Sequence, residues 1–366
     1  MHRVSQEICE QKTKHFQSRH FRYMRALLLS GIYWIGWMSG LLGISQVATA
    51  QQDTVFYSIE RALKNKAQAK ILELDGGDSM VVKFKERYFR KLTQLHTLVI
   101  RSSTLPDLPK SLAGLPHLRH LELVDCRLTK IPEVVWQCKN LQTLNISCNQ
   151  IRVLPASIAQ LQQLQILVLG SSICGGNPLT DLPQSLTKLP HLTDLFLSYT
   201  DFENLPELIG DLSHLKTLQM LHMKRLKALP NSLIKLKNLE VLEIHSYAPI
   251  ELFTIPHSGW YRLRKLRLLY MNLPGLKTLP RAMFQLPYLQ HLSLLGNRDL
   301  SRVSSQIRTL QSLQVLDVSF TKLKQLPVEM KQLPNLKQIR MMGTPYLDHI
   351  NLAQLESQLP GIEIVK

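Results

Sequence analysis

Acidic residues are in short supply in this 366-residue chain: 27 Asp and Glu stand against 44 Lys and Arg, a formal charge of +17. Cysteine is scarcer still, at 5, which excludes a disulfide-dense scaffold. Aromatics make up only 7%. Hydrophobic residues nevertheless reach 45%, beside 16 Gly and 19 Pro, so neither a disordered tail nor a collagen-like chain fits. The sequence has no glycine-rich phosphate loop, no H-E-x-x-H and no G-x-S-x-G. None of the 13 histidines pairs with another at metal-ligand spacing on a common element. We therefore expect no enzyme: no catalytic residue, no cofactor and no metal. What the chain has in abundance is leucine.

The first fifty residues read as a targeting segment. Residues 1–25 carry six basic residues, Arg3, Lys12, Lys14, Arg19, Arg22 and Arg25, against Glu7 and Glu10. No charge follows from Ala26 to Ala50, and the apolar stretch 26–44 gives way to Ala48-Thr49-Ala50, an A-x-A pattern that suits a signal peptidase. Residues 1–50 are thus expected to be a signal peptide or, if uncleaved, an N-terminal membrane anchor, with 26–44 the only contact with a membrane. Read from Met24, the segment has the short basic start of a leader, so Met24 is an alternative start. Either form exports the rest, because the basic flank stays on the cytoplasmic side. Without residues 1–50 the chain keeps 38 basic and 25 acidic residues, still +13.

A period of about 23 residues governs everything after that. LHTLVI (95–100), LRHLEL (118–123), LQTLNI (141–146) and LQILVL (164–169) begin 23 residues apart. The series continues from Leu192, Leu215, Leu239, Leu263, Leu289, Leu313, Leu336 and Leu359, and a degenerate first copy starts at Ala69, giving thirteen. Each copy follows L-x-x-L-x-L-x-x-N-x-L-x-x-L-P. Alternating leucines make one strand face apolar. Strands that run parallel need a crossover, whose own leucines, such as Leu112 and Leu115, close the core from the other side. No copy can bury its leucines alone, so the array is stable only when stacked.

Over residues 69–366 this pattern resembles the leucine-rich repeat family, specifically the 23-residue leucine-proline type of plant intracellular Ras-group-related proteins and animal scaffold proteins. The resemblance implies an α/β solenoid: a horseshoe with about thirteen parallel strands on the concave face and short helical or irregular segments on the convex face. Nine prolines (109, 132, 155, 183, 206, 230, 256, 280 and 327) are expected in the first turn of short helices. At the Asn position only Asn149, Asn297 and Asn177 keep Asn. Ser103, Cys126, Thr200, Thr321 and Thr344 replace some of its hydrogen bonds, and Met223 and Met271 replace none.

Residues 51–68 are expected to cap the first strand as a helix, with Val55, Ile59 and Leu63 at helical spacing and Asp53 or Thr54 as N-cap. Cys126 and Cys138 fall on inward positions. Cys148 and Cys174 lie on adjacent rungs, close enough to pair in an oxidising compartment, and are read as two free thiols with the bridge left open. The insertion 170–177 reads as a flexible loop.

The candidate site is the outward strand face, at the third, fifth, seventh and eighth positions of each copy. Early copies place small or polar residues there. From the sixth copy onward come Phe196, Tyr199, His222, His245, Arg267, Tyr270, His291 and Phe320, with Leu221, Leu269 and Leu295 between them. Aromatics and Arg on a rigid sheet are the composition of protein-binding hot spots. Charges at the fifth position also alternate, Glu243 beside Arg267, then Asp317, Arg340 and Glu363, and read as a stabilising ladder. The expected function is an exported, non-catalytic module that binds a protein partner, with an anionic surface polymer as a second partner; dispersed Lys and Arg do not suit nucleic acid. The alternative is a cytoplasmic signalling scaffold.

Overall fold

The computed structural model describes residues 54–76, 81–249, 253–344 and 357–366. The chain divides into Met1–Gln52 and Asp53–Lys366. The expected leader falls in the first unit and lies outside the described residues. Among the described residues no helix is long and apolar enough to cross a membrane.

The second unit is built on one open sheet. Its strands are β1 (Val55–Phe56), β2 (Ile71–Asp75), β3 (Thr97–Arg101), β4 (His120–Val124) and β5 (Thr143–Asn145). There follow β6 (Ile166–Ser171), β7 (Gly175–Gly176), β8 (Asp194–Leu197), β9 (Thr217–Met223) and β10 (Val241–Ser246). The last are β11 (Leu268–Asn272), β12 (His291–Ser293), β13 (Val315–Asp317), β14 (Gln338–Arg340) and β15 (Glu363–Val365). All except β7 follow one another in sequence order as a parallel path. Thirteen of them are the rungs of the repeat, and β1 adds a short strand in front.

The fourth position of each rung is the axis of the core. Leu98, Leu121, Leu144, Leu167, Leu195, Leu218, Leu242, Leu269 and Leu316 sit in register from strand to strand and are each 0% exposed. Burying each such side chain stabilises by about 1.5–3 kcal/mol. The crossovers close the other side with short 3-10 helices. Eight of the nine prolines are N-caps of these helices rather than members of the first turn. Pro109, at φ −71 and ψ 150, is extended, and its carbonyl accepts from Leu112 N at 3.0 Å. The fixed φ therefore ends the extended loop and leaves its oxygen to start the helix. In the remaining case Gly259 (φ 89) caps Trp260–Arg262, and the Pro256 carbonyl accepts from Trp260 Nε1 at 2.8 Å.

Asparagine ties neighbouring rungs together. Asn149 Oδ1 accepts from Cys126 N (2.9 Å) and Leu128 N (3.1 Å), while Nδ2 donates to the carbonyls of Leu123, Ile146 and Ser147. Where Thr stands instead, one bond survives: Thr200 Oγ1 to Leu197 O and Thr321 Oγ1 to Val318 O, both 2.6 Å.

Two rungs start elsewhere than their leucines suggest. β11 pairs Leu268 with Val241 and Tyr270 with Glu243, so its first position is Leu266, not Leu263. Leu263 is the C-cap of the preceding 3-10 helix. Met271 consequently lies in the core rather than at the Asn position. β15 pairs Glu363 with Gln338, two residues away from the frame begun at Leu359. The N-terminal cap also differs. Val55–Phe56 is a strand paired with Ile71–Leu72, and the helix is shorter, α1 (Ile59–Lys64), capped by Ser58, whose side chain accepts from Arg61 N at 3.2 Å. The edge of β2 offers more backbone hydrogen bonds to a strand than to a helix.

The 170–177 insertion is not a loose loop. Gly175–Gly176 folds back antiparallel on Gly170–Ser171, and Cys174 is bonded to Cys148 with their Cα atoms 5.7 Å apart. This replaces the free-thiol expectation. A Cβ on Gly170 would lie 1.7 Å from Ser198 O, and one on Gly176 2.4 Å from it, so only glycine allows the hairpin to approach the next rung. Cys126 and Cys138 remain free and buried, and burial pushes each thiol up to about 12.

Candidate functional site

Because β-strand side chains alternate, the third, fifth and seventh positions of every rung project from the sheet face opposite the core. The register runs the fifth position as Glu73, Val99, Glu122, Asn145, Val168, Phe196, Gln219, Glu243, Tyr270, Ser293, Asp317 and Arg340. At the eighth position the backbone turns into the left-handed region in most rungs: Ser102, Asp125, Cys148, Tyr199, His222 and Phe320 have φ between 47 and 60, and Gly296 and Gly343 fill the same place. This turn ends the strand and aims the eighth side chain along the rim of the sheet. Glycine adopts the conformation without steric cost, whereas a bulky side chain there is disfavoured. Tyr199, His222 and Phe320 occupy it nonetheless.

Three of the expected site residues meet on consecutive rungs. The Tyr199 and His222 rings stack at 4.6 Å between centroids and 20° between planes. His222 and His245 lie 4.8 Å apart, and His245 and Tyr247 4.9 Å. His222 Nδ1 is 3.1 Å from the Tyr247 hydroxyl. Tyr247, 49% exposed, is a member of the cluster that the repeat frame did not mark. It was hidden because the β9–β10 register shifts here: β9 carries one extra residue opposite His245, so that Ser246 pairs with Met223 and Tyr247 comes to the rim. Burial lowers the pKa of His222, and burial followed by the charge of His222 takes His245 down to about 4. Both rings are therefore uncharged at neutral pH. Burial, with Tyr247 next to it, raises the Tyr199 phenol. The result is a neutral, amphipathic patch of four rings, one pair stacked and the others tilted.

The other expected members lie elsewhere. Phe196 projects from the sheet face but is 2% exposed in the row between Val168 and Gln219, so it offers no surface to a partner. Tyr270 is partly buried in the fifth-position row between Glu243 and Ser293. Its phenol is shifted up by burial, with Glu243 and Asp317 adding to the shift. Arg267 follows Leu266, stands at the second position and is exposed at the entry to β11, so the supposed pair with Glu243 is not formed; Leu269 is core. Glu243 instead accepts from Gln219 Nε2, and burial raises its pKa. His291 is partly buried at the third position, and burial lowers its pKa. Phe320, 48% exposed, lies against the bare backbone of Gly343, where a Cβ would meet its ring at 2.6 Å. It is separated from the four-ring cluster by the rungs of β11 and β12.

The expected charge ladder is also rearranged. Asp317 and Arg340 are register partners, yet Asp317 Oδ1 accepts from Ser319 N at 2.9 Å, and Arg340 Nε donates to Gln338 Oε1. Glu363 pairs with Gln338, whose Nε2 donates to it at 2.6 Å. A stronger pairing appears at the other end of the face. Arg101 donates to Glu73 (2.6 Å) and to Glu122 (2.9 Å). Burial raises the pKa of Glu122 against the pull of Arg101. Among the described residues no group of three His, Cys, Asp or Glu is placed to hold a metal ion.

A ladder of parallel rungs closed by 3-10 crossovers and laced by asparagines defines an α/β solenoid of repeated units. Residues 109–295 match the model of the leucine-rich repeat region, and the chain belongs to the leucine-rich repeat family. It is 34% identical over 120 residues to plant intracellular Ras-group-related LRR protein 8 of Oryza sativa subsp. japonica, covering 27% of this chain and 32% of that protein. It is 30% identical over 186 residues to the volume-regulated anion channel subunit LRRC8E of Homo sapiens, covering 49% of this chain and 22% of that protein. The chain thus spans about a third and about a fifth of the length of these relatives. Among solved structures it is similar to one from the octameric complex of Latrophilin 3, Unc5D and FLRT2, with a TM-score of 0.53 at 18% identity over 81% of this chain and 83% of that one. An internalin of Listeria monocytogenes gives a TM-score of 0.50 at 16% identity, over 86% and 84%. At these identities the likeness is one of fold.

Proposed function

We propose that the chain is an exported, non-catalytic recognition module that holds a protein partner on the concave face of its sheet, centred on Tyr199, His222, His245 and Tyr247. The observation that carries this reading is the ring cluster. Four rings converge over three rungs, two of the side chains on left-handed backbone that a glycine would occupy at lower cost. A rigid, neutral, half-exposed aromatic patch provides large contact area at small loss of side-chain freedom. His291 and Phe320 lie farther along the same sheet, beyond the rung of β11. The parallel sheet keeps these positions fixed relative to one another, as repeat scaffolds do for their ligands.

Export is supported by the uncharged run 26–50 and by the Cys148–Cys174 bond, since disulfides persist in oxidising compartments and are rare in the cytosol. A second reading, an intracellular signalling scaffold, is favoured by the likeness to a rice protein described as intracellular. Fractionation, with alkylation of the unreduced chain, separates the two: export requires that Cys148 and Cys174 resist alkylation.

The recognition reading is tested by pull-down with the wild-type chain and with His222→Ala and Tyr247→Ala, each checked for unchanged circular dichroism. A partner retained by the wild type should be retained at least tenfold less well by both variants. Equal retention by all three proteins removes the ring cluster as the contact.

A further inference from the structure

A second surface, away from the ring cluster, is marked by charge. At the two residues that precede the first leucine of each rung, neighbouring rungs carry Lys237-Asn238 and Arg264-Lys265, whereas the rungs on either side carry Ser213-His214 and Pro287-Tyr288. Three cations are therefore brought together on two neighbouring rungs. With Tyr261 and Arg262 of the intervening 3-10 helix, these residues line a cavity of about 600 Å³. Lys237, Arg262, Arg264 and Lys265 are all exposed, and no carboxylate lines the cavity.

The groove is held from below. Asn238 Nδ2 donates to Ser213 O at 2.8 Å, which fixes the amide so that its Oδ1 accepts from Lys265 Nζ at 2.8 Å. Tyr261 and Arg262 ride on Trp260, which is 0% exposed and anchored to the Pro256 carbonyl. The Arg262 guanidinium lies 5.8 Å from the centre of the Tyr261 ring, which is itself 50% exposed.

We propose that this groove binds the sulfate or phosphate groups of an anionic polysaccharide. Four cations with no acid among them attract a polyanion and are not neutralised within the groove. A recessed site suits a polymer strand that can enter it, while a bilayer meets protruding cations. The Tyr261 ring gives a sugar an apolar face beside its charged substituents. The proposal is independent of the ring cluster, since none of its residues contributes to both.

The test uses heparin as the probe and the full chain as the protein. Wild type should be retained on immobilised heparin at 0.15 M salt. The double variant Arg264→Ala/Lys265→Ala should bind a heparin octasaccharide at least tenfold more weakly, and the slope of log K against log salt should fall by about 1.5, as expected for two lost ion contacts. A control with two dispersed cations removed, Lys110→Ala/Lys130→Ala, should stay within about twofold of wild type. Equal losses in the two double variants overturn the proposal, as does lack of retention of the wild type. Binding to phosphatidylserine vesicles without binding to heparin overturns it in favour of a membrane surface.

Discussion

Acidification from pH 7 to 4.5 should weaken the ring cluster, and His245 sets the size of the effect. Its folded pKa lies at about 4, because burial and then the neighbouring His222 disfavour the imidazolium. An unfolded histidine titrates at about 6.5. With the folded pKa below the unfolded one, the unfolded chain takes up the proton first. The stabilisation is therefore complete above about pH 6.5 and is lost as the pH falls towards 4. Each pKa unit corresponds to about 1.4 kcal/mol. The ring is only partly buried, so after allowance for solvent screening we expect a loss of about 1.5 kcal/mol at pH 4.5. Tyr199, His222 and Tyr247 face it across the cluster, and His222 titrates in the same direction. Carboxylates elsewhere also titrate in this range, so the informative quantity is a difference between two proteins. Urea unfolding of the wild type and of His245→Phe at both pH values should show about 1.5 kcal/mol more acid sensitivity in the wild type. The His245 Cε1 proton should titrate near pH 4 by NMR. A midpoint at 6 or above, or identical acid sensitivity in the two proteins, would refute the reasoning.

Three further outcomes are expected. Replacing Cys148 and Cys174 by Ser opens a loop of 26 residues and should lower the unfolding free energy by up to about 3.5 kcal/mol, read from the urea midpoint; an unchanged midpoint contradicts a structural bond. Asn149→Ala strands buried backbone groups on two rungs and should cost about 3 kcal/mol. Asn149→Thr, able to bond its own rung as Thr200 does, should cost about 1 kcal/mol less in the same urea titration. Gly176→Ala should open the 170–177 hairpin to limited proteolysis, while Gly114→Ala, where a Cβ meets nothing within 4 Å, should not; equal cleavage of both would show that the close approach to Ser198 is not required.

Most of the scaffold could be read from leucine spacing because a parallel rung needs the same inward residue at the same step each time. The frame failed where that spacing is degenerate. Leu263-x-x-Leu266 offers two starts, and the first matched the consensus better. Yet most rungs also carry an apolar residue three before their first leucine, such as Leu236 before Leu239 and Leu286 before Leu289, as the C-cap of the preceding 3-10 helix. Counting back 23 residues from Leu289 gives Leu266. That slip carried Arg267 and Tyr270 to the wrong columns. Tyr247 is not legible in the leucine spacing, because a register shift between β9 and β10, which local spacing does not encode, brings it to the rim. Phe196 shows that projection from a sheet does not ensure exposure when the row neighbours, here Val168 and Gln219, crowd the ring. The disulfide depends on how the 170–177 hairpin folds back, and glycine there was the one available sign.

Site-specific photocrosslinking tests the recognition face most directly. A benzoylphenylalanine at position 247, on the ring cluster, is compared with one at position 153, where Val153 is 71% exposed outside the cluster. Illumination of the full chain with its partner should yield a covalent adduct from position 247 and none from position 153. An adduct from position 153 with none from position 247 would contradict recognition through the rings.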